Sequence, residues 1–185
     1  MELIRPSEVY LDSYVRALRR GWSPDNTPPH VADEQLRQIE ENPQAFFALM
    51  DDRDGAGPPI TLPDGSTASR LPGFRLWMWD GEVSGSIGLR WQPGSPGLPP
   101  HCLGHAGYSV VEWKRNRGYA TRALAQLCPL AREVGLPWFE LTTDLGNVAS
   151  QKVILANGGE LIEEFAKPAV YGGGSALRFR IYLNR

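Results

Sequence analysis

The most regular apolar spacing in the chain lies between Tyr119 and Val134. There Ala120, Ala123, Leu124, Leu127, Leu130, Ala131 and Val134 recur every three or four residues, and Gly135 follows. This period gathers the apolar side chains on one face of an α-helix, and that face must be covered by another layer. The runs on either side, Leu103–Val111 and Trp138–Thr143, read as strands. Strand, helix and strand in succession require a sheet with helices packed on it, so the expected class is mixed α/β. Pro129 lies inside the helix and brings no N–H, which predicts a kink or a tightened turn near Ala125.

The remaining segments fit the same class. A short strand around Leu3–Arg5 precedes a helix over Ser7–Arg20, in which Val9, Leu11, Tyr14, Val15 and Leu18 hold broadly helical spacing and Gly21 is the stop. Ala32–Glu41 and Pro43–Met50 read as two short helices divided at Asn42-Pro43, because a residue before proline avoids the helical region. Asp51–Gly73, rich in Asp, Gly, Pro and Ser, reads as a long surface loop. Phe74–Asp80 alternates in the manner of a strand, Asp80-Gly81 signals a two-residue hairpin turn, and Val83–Trp91 returns. A Pro/Gly loop spans Gln92–Pro100. Beyond the central helix come a helix over Asn147–Ala156, capped by Asn147 and stopped by Asn157-Gly158-Gly159, and strands over Glu160–Phe165 and Ala176–Leu183. The length of 185 residues suits one domain, with a helical part (1–50), a loop (51–73) and a sheet-forming remainder (74–185).

Charge and cysteine content exclude several classes. A formal net charge of −2 argues against nucleic acid or an anionic membrane as the main partner, since both demand a positive field. Cys102 and Cys128 have no paired spacing and no neighbouring His cluster, so neither a disulfide framework nor a metal site is expected. No apolar run approaches a membrane span and the first residues lack a signal-peptide pattern, so a cytoplasmic location is expected.

Chemistry concentrates at the junction of the Leu103 strand with the Tyr119 helix, spelled Trp113-Lys114-Arg115-Asn116-Arg117-Gly118-Tyr119-Ala120-Thr121. A helix N-terminus has N–H groups without internal partners and a partial positive charge, so it can hold a pyrophosphate. Gly118 lets backbone approach the anion, Arg115 and Arg117 add forked donors, and small Ala120 leaves room above the first turn. Each feature alone reads as a turn glycine or a solvated basic loop. Together they point to a diphosphate-bearing ligand. The basic run is too short, in an acidic chain, for nucleic-acid binding, and neither a complete dinucleotide fingerprint nor a P-loop occurs.

Arg115, Gly118 and Ala120 occupy the three defined positions of the Gln/Arg-x-x-Gly-x-Gly/Ala signature, and in this respect the chain resembles the GNAT N-acetyltransferase superfamily. Asn147-Val148-Ala149-Ser150, opening a helix that ends in Asn157-Gly158-Gly159, resembles the second cofactor-binding segment of that family. Gly104-His105-Ala106-Gly107-Tyr108-Ser109-Val110 is similar to a subgroup of bacterial acetyltransferases, and the likeness runs roughly from Leu71 to Arg180. The resemblance implies a mostly antiparallel, twisted sheet of about six to seven strands flanked by helices, with a splayed strand pair at the cofactor site. It further implies acetyl-CoA as co-substrate and transfer of acetyl to an amine. The pantetheine arm would pair with backbone at Val110 and Val111. The turn Arg115, Asn116, Arg117, Gly118, Tyr119, Ala120 and Thr121 would take the pyrophosphate, and Asn147 and Ser150 would contact the arm or the nucleotide end.

The catalytic groups are less defined. His105, with an ordinary pKa near neutrality, is a candidate base, and a satisfied structural histidine is the competing reading. Glu82 and Glu112 are further candidates, against solvated surface carboxylates. The family's usual tyrosine acid falls at Ile154, which cannot donate a proton, so Tyr108 or Tyr171 is the substitute candidate. Because of Ile154, a non-catalytic acyl-CoA-binding module is the alternative to an enzyme. Trp77 and Trp79 share one strand face and are candidates for an acceptor pocket or for the core. A homodimer paired through the final strand or the tryptophans is compatible with the sequence.

Overall fold

The computed structural model describes residues 1–25, 30–62 and 64–183. Strand β1 (Glu2–Ile4) leads into helix α1 (Glu8–Arg19), followed by α2 (His30–Glu41) and α3 (Pro43–Met50). Asn42 separates the last two as expected: its Oδ1 accepts the Ala45 N–H at 2.9 Å, and Pro43 opens α3, where a missing N–H does no harm. The stretch 51–73 is not simply a loop. It contains β2 (Asp51–Asp52) and a hairpin of β3 (Ile60–Thr61) and β4 (Thr67–Ala68), while residue 63 lies outside the described residues. Strands of two residues have no alternation for a sequence pattern to reveal.

β5 (Gly73–Trp79) and β6 (Val83–Arg90) form the expected hairpin, but with a three-residue turn: Trp79 pairs with Val83 and Met78 with Gly85. Ser84 is the extra residue of the resulting bulge, and its hydroxyl donates to Asp80 Oδ1 at 2.8 Å. β7 (Ala106–Val110) starts later than the apolar run suggested. Helix α4 (Tyr119–Glu133) continues through Pro129 without a break. β8 (Trp138–Asp144), α5 (Val148–Leu155), β9 (Glu160–Ala166) and β10 (Ser175–Tyr182) complete the order.

The strands form two main antiparallel sheets, ordered β1-β5-β6-β7, with β2 also on β5, and β8-β10-β9. Phe74, Leu76 and Met78 of β5 join Ile87 and Leu89 of β6 under the apolar face of α4, where Leu124 and Leu127 are fully buried, and Ile154 of α5 enters the same core. The opposite face carries Trp77 into a second core with Tyr14, Leu18, Phe46 and Met50 from α1 and α3. Trp77 stacks on Tyr14 with ring centroids 4.2 Å apart, and Trp79 packs on Tyr10 at 4.7 Å. Both tryptophans are therefore held by the first helix, and neither lines an acceptor pocket. β10, paired on both edges, has no free edge for a second copy, and Trp77 is inaccessible to one. Among the described residues no helix is long and apolar enough to cross a membrane, and no His, Cys, Asp and Glu group could hold a metal ion.

Candidate functional site

The site grows from the seam between the two sheets. Arg90 N–H donates to His105 O (2.9 Å) and Val111 N–H to Ser84 O (3.1 Å), which sets the hydrogen-bonded pairs of the β6–β7 ladder. Antiparallel alternation then turns the N–H and C=O groups of Ala106, Tyr108 and Val110 away from β6, toward β8. On β8, Glu140 directs its backbone toward β7: its C=O accepts the His105 N–H at 2.8 Å and its N–H donates to His105 Nδ1 at 3.1 Å. Beyond this point β7 and β8 share no ladder. The strands are stapled at one end and splayed at the other, so at Val110 the β7 edge faces a gap shaped for an extended partner.

His105 is the staple. Its ring is buried, Nδ1 accepts from Glu140, and Nε2–H donates to Pro96 O at 3.1 Å, which requires the neutral tautomer. Burial pushes its pKa below the ordinary value, aided by the charges of Arg90 and Arg180 and opposed by the Pro96 bond and Glu140. Both ring nitrogens are engaged by backbone, an arrangement that matches the structural reading of this histidine. Around it, the Glu140 carboxylate receives Arg180 (2.7 Å) and Arg178 (3.3 Å), and Arg178 also donates to Leu103 O at 3.1 Å. The closed end is thus clamped by side chains as well as backbone.

At the open end each strand runs into a helix start. From β7 the chain makes a single 3-10 turn (Glu112–Lys114) and then two left-handed residues, Asn116 (φ 63°) and Gly118 (φ 71°), before α4. Gly118 has no side chain with which to cap α4, and nothing lies within 4 Å of where its Cβ would be. The first N–H groups of α4 therefore await a partner from outside the helix. Arg115 is exposed and loosely paired with Glu112 at 3.6 Å, and Arg117 is exposed beside Trp113 O. Arg122 lies over the Tyr119 ring and reaches Arg117 O at 3.4 Å, adding a third guanidinium. From β8 the chain enters α5, where Asn147 Oδ1 accepts the Ser150 N–H at 3.0 Å, leaving its amide NH2 for other contacts. Asn157 Nδ2 donates to Thr121 O at 3.2 Å and so ties the end of α5 to the first turn of α4.

Tyr108 bridges the two sides: its hydroxyl lies 2.9 Å from Ser150 Oγ. Burial pushes the phenol pKa up to about 12, against the Ser150 bond, so it stays protonated through the neutral range. The structure gathers Tyr108, Val110, the turn 115–121, Asn147 and Ser150 around the open end, and leaves His105 at the closed one. Glu82 belongs elsewhere. Lys114 is buried against Asp80 (2.5 Å), Glu82 (2.8 Å) and Ser84 (3.2 Å), and Tyr119 donates to the other Asp80 oxygen at 2.5 Å, so the basic turn is bolted to the β5–β6 hairpin. Glu112 is an exposed surface carboxylate, Tyr171 donates to His101 O at 2.7 Å, and Ile154 is fully buried in the core. Sequence reasoning missed Arg122 and read Asn157 only as the stop of α5, not as its tie to α4. Arg122 falls one helical turn after Gly118, a spacing that could have flagged it.

Comparison with known proteins agrees with this geometry. A profile described as Acetyltransferase (GNAT) domain matches residues 16–160. No curated protein sequence matches the chain. Among solved structures, the microcin C7 self-immunity acetyltransferase MccE, in complex with acetyl-CoA and AMP, superimposes with a TM-score of 0.68 at 11% identity, covering 97% of this chain and 91% of that one. RimL, a ribosomal L7/L12 alpha-N-protein acetyltransferase in complex with coenzyme A, gives 0.65 at 13% identity, covering 98% and 93%. The protein yncA from Salmonella typhimurium, with its cofactor acetyl-CoA, gives 0.55 at 14% identity, covering 100% and 94%. At such identities the superpositions speak for the fold, and the profile speaks for descent: the chain belongs to the GNAT acetyltransferase family.

Proposed function

We propose that the chain is an acetyl-CoA-dependent N-acetyltransferase that passes the acetyl group directly to a primary amine. One observation carries the reading: β7, the last strand of its sheet and splayed from β8, leads straight into an uncapped, arginine-rich helix start. An extended amide-bearing arm ending in a pyrophosphate has the shape and chemistry that this succession accepts. Arg115, Asn116, Arg117, Gly118, Tyr119, Ala120 and Thr121 hold the pyrophosphate, with Arg122 as a further cation. Backbone at Val110 meets the arm, and Asn147 and Ser150 face it from α5; Val111, expected to share that contact, is instead fully buried with its N–H on Ser84 O, because strand alternation turns it toward β6.

Acetyl-CoA supplies an activated thioester. The chain's own contribution is alignment, a backbone N–H near Val110 to polarise the carbonyl, and a proton for the departing sulfur. As the amine nitrogen bonds to the carbonyl carbon, the carbon–sulfur bond breaks. Tyr108, held by Ser150, gives its proton to the thiolate and is later reprotonated from solvent; the amine's surplus proton leaves to water. His105 positions the seam and takes no proton. The Tyr108 hydroxyl takes over the task for which Ile154 has no group, and this favours the enzyme over a binding-only module.

The test is CoA release with a panel of primary amines, in wild type and Tyr108→Phe. A proton donor contributes about 10²–10⁴-fold, and with water as a substitute acid the expected fall in kcat is about 10–100-fold, with acetyl-CoA affinity retained. Release that stays at the buffer background with every amine, while acetyl-CoA binds, would leave the binding module standing instead.

A further inference from the structure

A cavity of about 330 Å³ lies on the α2 side of the first sheet and reaches Gly107 and Tyr108 on β7. Part of its floor carries no side chain, between Arg75 on β5 and the edge of the sheet at β7. Gly88 and Gly107 are directly opposed in the β6–β7 ladder, and Gly73, opposite Arg90 on β5, extends the row. Gly73 and Gly88 have reasons within the fold, since a Cβ there would meet Leu89 O at 2.8 Å and Phe74 O at 3.2 Å. Gly107 has none: its φ is not left-handed and nothing lies within 4 Å of where its Cβ would be. A glycine in mid-strand weakens the strand, and without a packing reason it marks the approach of a ligand.

The charges around the floor differ in how far they are engaged. Arg75 donates to Pro24 O at 2.7 Å and pairs with Asp25 at 3.4 Å. The Asp52 carboxylate accepts the N–H groups of Ala56 and Gly57. Arg70 reaches Pro58 O at 3.2 Å and Arg90 meets the Cys102 thiol, and among the described residues neither pairs with a carboxylate. Among the described residues Arg70 and Arg90 thus line the cavity without an ion-pair partner, as do two carboxylates, Asp52 on its backbone N–H groups and Glu34 on neutral Gln38; of the four, Arg90 lies on the glycine-bearing face of β6, two residues from Gly88.

From this placement we infer that the acceptor is an amine whose body carries an anionic group, carboxylate or phosphate, which pairs with Arg90 while the amine crosses the bare floor at Gly107 toward the β7 edge. The inference rests on the acetyltransferase reading and adds the substrate class. Three probes separate the chemistries: glycylglycine carries a carboxylate, its amide glycylglycinamide does not, and 2-aminoethyl phosphate carries a phosphate.

The experiment follows CoA release at saturating acetyl-CoA, with acetyl-CoA affinity measured in parallel by calorimetry. At least one of the two anionic probes is expected to show a KM at least 10-fold below that of the neutral amide, and whichever does identifies the anion. Arg90→Gln should remove that difference while leaving acetyl-CoA affinity unchanged. Gly107→Val should raise KM for all active probes about 10-fold or more and Gly107→Ala less so, again without change in acetyl-CoA affinity, because the fold has room for either side chain. Equal KM values for charged and neutral probes, no turnover of any probe by a protein that binds acetyl-CoA, or an unchanged KM in Gly107→Val would overturn the inference. Failure of wild type to bind acetyl-CoA at all would instead remove the reading on which it rests.

Discussion

Replacing Lys114 with methionine keeps most of the side-chain volume and removes the charge that bolts the basic turn to the β5–β6 hairpin. The ammonium lies 2.5 Å from Asp80 and 2.8 Å from Glu82, with the Lys114 side chain 9% and the Asp80 side chain 16% exposed. Removing one partner of a buried pair costs about 3–5 kcal/mol, because the other charge is stranded. Two features lower that figure here. Glu82 is nearly half exposed, so solvent screens its loss, and Asp80 keeps the hydroxyls of Tyr119 and Ser84. The expected destabilisation is about 2–3 kcal/mol, and in a chain of this size that lowers Tm by about 4–12 °C. Acid gives a second signature. Burial favours the protonated Asp80 carboxyl, but the hydrogen bonds from Lys114, Tyr119 and Ser84 and the Lys114 charge outweigh it and hold the pKa well below the usual 3.8. The unfolded chain therefore takes the proton first. Asp80's contribution is fully present above its unfolded pKa and is lost as pH falls through the folded one. Lys114→Met lacks much of that contribution, so the Tm gap between the two proteins should be wider at pH 7 than at pH 3. Calorimetric unfolding at both values and constant ionic strength reads this directly. A gap below 2 °C at pH 7, or an equal gap at both, would refute the reasoning.

His105→Asn should cost about 2–4 kcal/mol, since Glu140 N–H and Pro96 O each lose a buried partner. Burial lowers the His105 pKa, so its contribution is full above the ordinary 6.5 and declines as pH falls; thermal unfolding of His105→Asn should lack that part of the acid-side slope. The pH dependence of the residual rate should keep its wild-type shape, and the loss of a basic limb would mean that His105 works as a base after all. Gly159→Ala sets a Cβ against Ile154 Cγ2 and should destabilise by about 1–3 kcal/mol, whereas Gly107→Ala should cost less than 1 kcal/mol; urea unfolding of the two compares them, and the reverse order would contradict the packing described.

The long elements and the basic glycine turn were legible because each rests on local rules. The α4 period, the Asn42-Pro43 break, the Asn147 cap and the glycine turn before α4 all follow from residues close in sequence. The open β7 edge followed only from family resemblance, since a missing ladder leaves no mark in the strand's own residues. The role of Lys114 was hidden in a basic run, because its partner Asp80 lies 34 residues earlier, in a hairpin that also brings Glu82. Tyr108 and His105 lie three residues apart, yet one faces Ser150 of α5 at the open end and the other is sealed among Pro96, Glu140 and Trp138 at the closed one. Nothing in their spacing distinguishes the proposed proton donor from a staple. The tryptophans of β5 were ambiguous for a similar reason: a strand face is either pocket or core according to which helix covers it, and α1 settles the matter by stacking Tyr14 on Trp77.

The most direct test of the central claim is calorimetric titration of acetyl-CoA into wild type and Gly118→Asp. Asp tolerates a left-handed backbone better than most residues, and open space surrounds the Cβ position, so the variant should fold while placing a negative charge at the proposed pyrophosphate site. Saturable binding by wild type that falls by 100-fold or more in a folded Gly118→Asp variant is the predicted result; equal affinity in both, or no binding by wild type, would contradict the account.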